Sequence, residues 1–120
     1  MLKEIRVMLI GDFLIFRNGL KILLEKEKSI KVVGEAADLP EASSLIHKIK
    51  PNILLIDSSA AEDNNFTEFV LAQPDNISTI VITSSREAES HRKYLLHGIS
   101  GLITKEENAA VLIKDRKSVV

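Results

Sequence analysis

Five short runs of aliphatic residues recur along the chain, and they are the feature that most limits its fold. The runs are rich in Ile, Val and Leu and do not alternate with polar residues, which is typical of strands covered on both faces. Such strands belong to parallel sheets, because parallel connections place helices on both sides of the sheet. The predicted strands are residues 5–10, 30–33, 53–56, 79–83 and 101–104.

Amphipathic patterns separate these runs. The first helix carries apolar residues at i, i+4, i+7 and i+8 and leaves charged residues for the solvent side. These are Phe16, Leu20, Leu23 and Leu24 on the apolar side and Arg17, Lys21, Glu25 and Lys28 on the other. Asp38 and Glu41 form a predicted capping box at the start of a second helix, which carries apolar residues at positions 42, 45, 46 and 49, and Pro51 ends it. The remaining helical patterns cover 66–70, 88–96 with a stop at Gly98, and 109–113.

Strands that alternate with helices through the whole chain predict right-handed crossovers and a doubly wound α/β sheet of five βα units. For five units we expect the flavodoxin-like strand order 2-1-3-4-5. In that order the carboxyl ends of the first and third strands flank the point where the strand order reverses, and such folds bind ligands there. We therefore predict one domain over 1–120 with its site at this edge of the sheet.

Composition excludes several kinds of function. Sixteen basic residues stand against 17 acidic ones, a net charge of −1, so we expect no direct contact of this chain with nucleic acid. The chain has no cysteine, which excludes disulfides, thiolate metal sites and a cysteine nucleophile. The first apolar run is broken by Arg6 and is too short for a signal peptide or a membrane span. A cytoplasmic protein without membrane contact is the expectation.

Polar residues follow four of the predicted strands. Asp57 comes directly after the third, Asp12 follows the first, Thr83 ends the fourth and Lys105 follows the fifth. A carboxylate at the end of a buried strand is costly unless it is paired, so Asp57 either caps the next turn or belongs to a site. Two carboxylates suffice to hold Mg²⁺, which keeps several of its waters.

The same four residues suit phosphoryl transfer. Asp57 can act as an oxygen nucleophile towards phosphorus and form an aspartyl phosphate. The ammonium of Lys105 and the hydroxyl of Thr83 would neutralise and hydrogen-bond the phosphoryl oxygens, together with a metal ion. The set therefore predicts a phosphoacceptor pocket, although each residue also has a purely structural interpretation.

The chain resembles the receiver domain of two-component response regulators, most closely the LuxR-type subgroup. The matching landmarks, in order, are "RVMLIGDF", "GLKILLEKEKSIKVVGEAAD", "KPNILLIDSS", "TIVITS" and "GISGLITKEE". The resemblance implies a sensor histidine kinase as phosphoryl donor to Asp57, and a metal shell of Asp12, Asp57 and the backbone carbonyl of Ser59. It also implies a DNA-binding effector domain in cis, absent from this chain, with 115–120 as the start of a linker. Such a domain is not an ordinary enzyme, but it catalyses its own dephosphorylation and can form homodimers.

Three departures from the family pattern make the acidic pocket partly degenerate. Gly11 replaces the first of two consecutive acids, Leu102 stands where the family has an aromatic residue, and the loop after Asp57 reads "SSAAEDNN". We expect weaker Mg²⁺ binding as a result. Glu62 or Asp63 reaching the metal instead is a disfavoured alternative. The alternative function is a pseudo-receiver, a phosphorylation-independent dimerisation or interaction module. A nucleotide or flavin carrier on the same fold is disfavoured, because the first loop offers a carboxylate where a phosphate would lie.

Overall fold

The computed structural model describes residues 4–83 and 98–104. Within them, five parallel strands form one sheet in the order β2-β1-β3-β4-β5. The strands are β1 Ile5–Ile10, β2 Ile30–Ala36, β3 Ile53–Asp57, β4 Ser78–Thr83 and β5 Gly101–Thr104. This confirms the predicted flavodoxin-like α/β sheet and its strand order.

Four helices are present in the described residues. They are α1 Leu14–Leu24, α2 Leu39–Ile49, α3 Ser58–Ala61 and α4 Phe66–Leu71. The sequence predicted α1, α2 and α4 but not the single turn of α3. The helices predicted over 88–96 and 109–113 lie outside the described residues. Within the described ranges no helix has the length and apolar content to cross a bilayer.

The sheet is buried on both faces, as the unbroken apolar runs predict. On one face the side chains of Met8, Leu54 and Val81 pack with α2 and α4. On the other, Val7 and Leu55 belong to a second cluster that includes residues of α1. The two clusters alternate along each strand, so every residue of β3 is buried.

Strand β2 is three residues longer than predicted. The prediction ended it at Val33, one residue before Gly34. In the structure the register shifts at this point, so that Val32 pairs with Val7 and Gly34 with Met8. A Cβ atom at Gly34 would lie 2.4 Å from Cδ1 of Ile49. The glycine is therefore a site of close helix approach rather than a strand end.

Helix α2 begins and ends as predicted. Asp38 accepts a hydrogen bond from the amide of Glu41 at 2.9 Å, which satisfies an N–H group that the helix leaves unpaired. After Ile49 the backbone of Lys50 turns left-handed, with φ of 53°. Arg6 of β1 donates to the carbonyls of Ile49 at 2.6 Å and Lys50 at 3.1 Å. An arginine from the first strand therefore closes the carboxyl end of α2.

Helix α1 differs from its prediction at two positions. Leu23 was assigned to the apolar face but is 44% exposed, because the buried line of the helix runs through Phe16, Leu20 and Leu24. Arg17 was assigned to solvent, yet its side chain is only 16% exposed and forms an ion pair with a residue of β2. The apolar contact of α1 with the sheet is thus narrower than the sequence pattern predicts.

Candidate functional site

Asp57 closes the central strand β3 at the carboxyl edge of the sheet. It is 7% exposed, and its Oδ1 accepts a hydrogen bond from the amide of Ser59 at 3.3 Å. The hydroxyl of Ser58 lies 3.5 Å from the same oxygen. Asp57 is thus the N-cap of α3, which confirms the capping interpretation. The cap uses only the Oδ1 atom of Asp57. It therefore leaves open the second interpretation, that this carboxylate also belongs to a functional site.

Ser59 contacts both predicted acids. Its amide donates to Asp57, and its hydroxyl donates to Oδ1 of Asp12 at 3.4 Å, a long and therefore weak hydrogen bond. The sequence prediction assigned the backbone carbonyl of Ser59 to the metal shell. Within a helical turn, carbonyls run along the axis towards the carboxyl end, whereas Asp57 lies at the amino end. In the described contacts, the oxygen of Ser59 that lies beside an acid is therefore its hydroxyl. The role of its backbone carbonyl as a Mg²⁺ ligand stays a prediction.

Asp12 is exposed and borders a cleft of about 410 Å³ between the loops that follow β1, β2 and β3. Four carboxylates line this cleft, namely those of Asp12, Asp38, Glu62 and Asp63. Glu62 and Asp63, the disfavoured alternative ligands, border the same space as Asp12. Among the residues that the structure describes, however, no three acidic, histidine or cysteine side chains converge closely enough to cage a metal.

Gly11 lies buried between Asp12 and the end of β1. A Cβ atom at this position would lie 2.8 Å from Cβ of Asp57, closer than real Cβ atoms approach. Arg17 donates one hydrogen bond to the carbonyl of Gly11 and another to Glu35 at 3.1 Å. At the observed separation of β1 and β3, an acid at position 11 would force one of the two strand ends to shift.

Thr83 ends β4 at the same edge of the sheet. It is 2% exposed, and because Asp57 pairs with Ile82, Thr83 lies one residue beyond it along the neighbouring strand. Thr104 of β5 pairs in turn with Thr83. Lys105, the predicted cation of the site, lies outside the described residues. Leu102, at the position of the family's aromatic residue, is partly buried against the core.

The described side chains suit a magnesium ion that keeps most of its waters. Mg²⁺ takes oxygen ligands and often only one or two carboxylates from the protein. Asp12, Asp57 and Ser59 supply such oxygens and are linked by hydrogen bonds. The open cleft beside Asp12 leaves space for the waters. An aspartate directly after a buried strand is a recognisable N-cap signal, and because an N-cap side chain accepts from the second or third amide of its helix, it points to the Ser59 amide from the sequence.

Comparisons with known proteins agree on one family. The model of the response regulator receiver domain matches residues 7–116. The chain is 29% identical over 120 residues to the transcriptional regulatory protein DegU of Brevibacillus brevis. That match covers 97% of this chain and 50% of DegU, so the chain spans about half the length of the curated relatives it matches.

Solved structures give the same result. A LuxR-family two-component response regulator from Aurantimonas sp. SI85-9A1 superposes with a TM-score of 0.83 at 28% identity, covering 98% of this chain and 85% of that one. The signal receiver domain of the response regulator NarL from Mycobacterium tuberculosis also gives a TM-score of 0.83, at 24% identity and over 97% and 95% of the two chains. The second likeness supports the fold alone.

Proposed function

The chain belongs to the response regulator receiver domain family and is similar to LuxR-type members, and from this premise we propose that Asp57 accepts a phosphoryl group from a sensor histidine kinase. The observation that carries the proposal is the position of Asp57. It is a buried carboxylate at the carboxyl edge of the central strand, joined through Ser59 to Asp12. The fold brings Asp12 and Asp57, which are 45 positions apart in the sequence, to one edge of the sheet.

The transfer would run through an oxygen of the Asp57 carboxylate. That oxygen attacks the phosphorus, the bond from phosphorus to the imidazole nitrogen of the donor histidine breaks, and an acyl phosphate forms on Asp57. The hydroxyl of Thr83 and the ammonium of Lys105 would stabilise the charge on the phosphoryl oxygens. Attack of water on the same phosphorus would release inorganic phosphate and regenerate Asp57, which is the self-dephosphorylation expected of such a domain.

We propose Asp12, Asp57 and Ser59 as the residues that hold Mg²⁺. When bound, the ion would neutralise part of the negative charge on the phosphoryl oxygens. Asp12 contributes a carboxylate at the mouth of the cleft, and Ser59 orients that carboxylate through its hydroxyl. Because Gly11 contributes no carboxylate, the affinity for the ion would be lower than with two consecutive acids.

The output would lie outside this chain. Phosphorylation would shift the equilibrium between two packings of the surface around β5, and that shift would act on a DNA-binding effector domain in cis. A cytoplasmic location follows from the same proposal. The pseudo-receiver alternative is not favoured by the comparisons, and a variant at Asp57 separates the two functions.

We expect the chain to gain one phosphoryl group when it is incubated with Mg²⁺ and acetyl phosphate. Intact-mass measurement under mild conditions should detect it, and Asp57→Asn should abolish it because the amide is not a nucleophile towards phosphorus. Asp75→Asn is the matched control, since Asp75 is an exposed residue in the loop before β4, at the other end of the sheet, and its loss should leave the modification unchanged. An unmodified wild-type chain, or an equally modified Asp57→Asn variant, would contradict the proposal.

Asp12→Asn should weaken Mg²⁺ binding by about tenfold or more. The lost attraction is nominally about 4 kcal/mol at 4 Å and an effective dielectric near 20, and water recovers part of it. Titration of Mg²⁺ followed by amide NMR measures the change. Asp38→Asn is the control, because it removes a charge from the same cleft while an asparagine still caps α2. Equal affinities for the two variants would remove Asp12 from the metal site.

A further inference from the structure

Arg17 links helix α1 to the loop that carries Asp12. One nitrogen of its guanidinium, Nη1, donates a hydrogen bond to the carbonyl of Gly11, and Nε donates to Glu35 of β2 at 3.1 Å. The side chains of Arg17 and Glu35 are 16% and 28% exposed, so this ion pair is better held than a pair at the open surface. The planar guanidinium offers its N–H groups in fixed directions. Arg17 therefore binds β2 and the end of β1 at the same time.

Gly11 is held by hydrogen bonds on both sides of its backbone. Its N–H donates to the carbonyl of Ala36 at 2.9 Å, and its carbonyl accepts the bond from Arg17. A peptide group is planar, and the plane that contains the carbonyl of Gly11 also contains the N–H and Cα atoms of Asp12. The bond from Arg17 therefore fixes the plane from which the backbone of Asp12 continues.

The other restraints on Asp12 are weak within the described residues. Asp12 is exposed, and the hydrogen bond that its carboxylate accepts from the hydroxyl of Ser59 is long, at 3.4 Å. Helix α1 begins after Phe13, whose side chain makes no capping hydrogen bond. Gly11 has no side chain that could restrict its own backbone. Arg17 therefore supplies the restraint that a helix cap would otherwise supply to this loop.

We propose that Arg17 is a positioning residue for Asp12. Glu35 orients the guanidinium, the guanidinium holds the carbonyl of Gly11, and the peptide plane sets the position of Asp12 at the mouth of the cleft. Arg17 is not itself a metal ligand, because a guanidinium has no acceptor atom and stays protonated. The inference rests on the proposed role of Asp12 as a Mg²⁺ ligand.

The ¹⁵N order parameter of the Asp12 amide tests this restraint in the absence of metal. We expect about 0.85 in the wild type, a value typical of rigid backbone, and less than about 0.6 in Arg17→Met. Methionine keeps an apolar stem, so α1 should stay packed on the sheet. Lys21→Met is the matched control, since Lys21 is exposed one turn further along the same helix and its loss should leave the Asp12 amide rigid.

Two results of this measurement would overturn the proposal. One is an Asp12 amide that is as rigid in Arg17→Met as in the wild type. The other is a loss of order along the whole of α1, which would give Arg17 a general structural role instead of a local one.

Titration of Mg²⁺ followed by amide NMR gives a second measurement. We expect Arg17→Met to weaken binding about fivefold, less than the roughly 10–100-fold effect of residues that contact a metal ligand directly. Charge alone predicts the opposite sign, because removal of a cation beside the cleft should strengthen Mg²⁺ binding. Arg17→Lys keeps the charge but cannot bind two acceptors in fixed directions, so it should weaken binding as well. Unchanged or tighter binding in Arg17→Met would contradict the positioning role.

A double-mutant cycle with Asp12→Asn separates this inference from the proposed metal site. If Arg17 acts through Asp12, Arg17→Met should cause no further loss of Mg²⁺ affinity in the Asp12→Asn background. An equal loss in both backgrounds would show that Arg17 acts by another route and would overturn the inference. If Asp12→Asn alone left Mg²⁺ binding unchanged, the proposed metal ligand would be wrong, whereas the order parameter would still decide whether Arg17 holds Asp12.

Discussion

Replacing Gly11 with aspartate should destabilise the chain by about 3 kcal/mol, although the family resemblance leads one to expect an acid at this position. The new Cβ would lie 2.8 Å from Cβ of Asp57, and overpacking of this kind costs roughly 1–3 kcal/mol. The second carboxylate would also repel Asp57, which is buried. Urea unfolding measures the change in the free energy of unfolding. An unaltered slope of this free energy against urea concentration, the m-value, would show that the folded state stays compact.

Gly11→Ala is the matched variant, because it adds the Cβ atom without the charge. We expect it to lose about 1–2 kcal/mol, and the remainder of the loss in Gly11→Asp to be the cost of the second carboxylate. Millimolar Mg²⁺ should recover stability in Gly11→Asp more than in Gly11→Ala, since only the former adds a ligand. If Gly11→Asp were as stable as wild type without Mg²⁺, the prediction would be contradicted. The ends of β1 and β3 would then make room for a side chain at position 11 at no cost in stability.

Replacing Arg6 with methionine should lower the free energy of unfolding by about 2–3 kcal/mol, since each hydrogen bond from a charged donor contributes roughly 1.5–3 kcal/mol and partial exposure reduces the total. Arg6 donates to the carbonyls of Ile49 and Lys50, which α2 leaves unpaired at its end. Methionine keeps the apolar stem, so the loss reports on the guanidinium. For a chain of this size the midpoint of thermal unfolding should fall by about 10 °C.

Arg6→Lys tests whether the planar guanidinium matters. Lysine keeps the charge but cannot reach two carbonyls in fixed directions, so it should recover less than half of the lost stability. Lys48→Met is the surface control and should change the stability by less than about 0.5 kcal/mol, since Lys48 is exposed in the last turn of the same helix. An Arg6→Met variant as stable as wild type would mean that water satisfies the end of α2 equally well.

Much of the fold could be predicted because buried elements leave a signal in the sequence. The strands appear as unbroken apolar runs, and the helices appear as apolar residues repeated every three to four positions. The unbroken apolar residues of β3 are all buried, and strand alternation with helices led directly to the observed order. The cap of α2 by Asp38 was predicted from one acidic residue at the correct spacing. The predicted meeting of Asp12 and Asp57 at one edge followed from the topology alone, and Ser59 links them in the structure.

Other features depend on distances between residues far apart in the sequence. The predicted second strand stopped before Gly34, and nothing in the local sequence shows that Ile49 packs against this glycine. Arg17 was predicted to face solvent because its partner, Glu35, lies in strand β2, 18 positions further along the chain. The absence of an acid at Gly11 was predicted to weaken metal binding. The close approach of the Gly11 backbone to Asp57 could not be predicted, because it depends on how β1 and β3 pack in the folded chain.

The cap of α3 gives this domain a native spectroscopic reporter. The oxygen of Asp57 that accepts the hydrogen bond from the amide of Ser59 belongs to the same carboxylate that would be phosphorylated. Any change in the charge or orientation of that carboxylate must therefore alter the hydrogen bond of one backbone amide two residues away. The ¹⁵N–¹H signal of Ser59 can thus follow the chemical state of Asp57 without an added chromophore, fluorophore or cofactor.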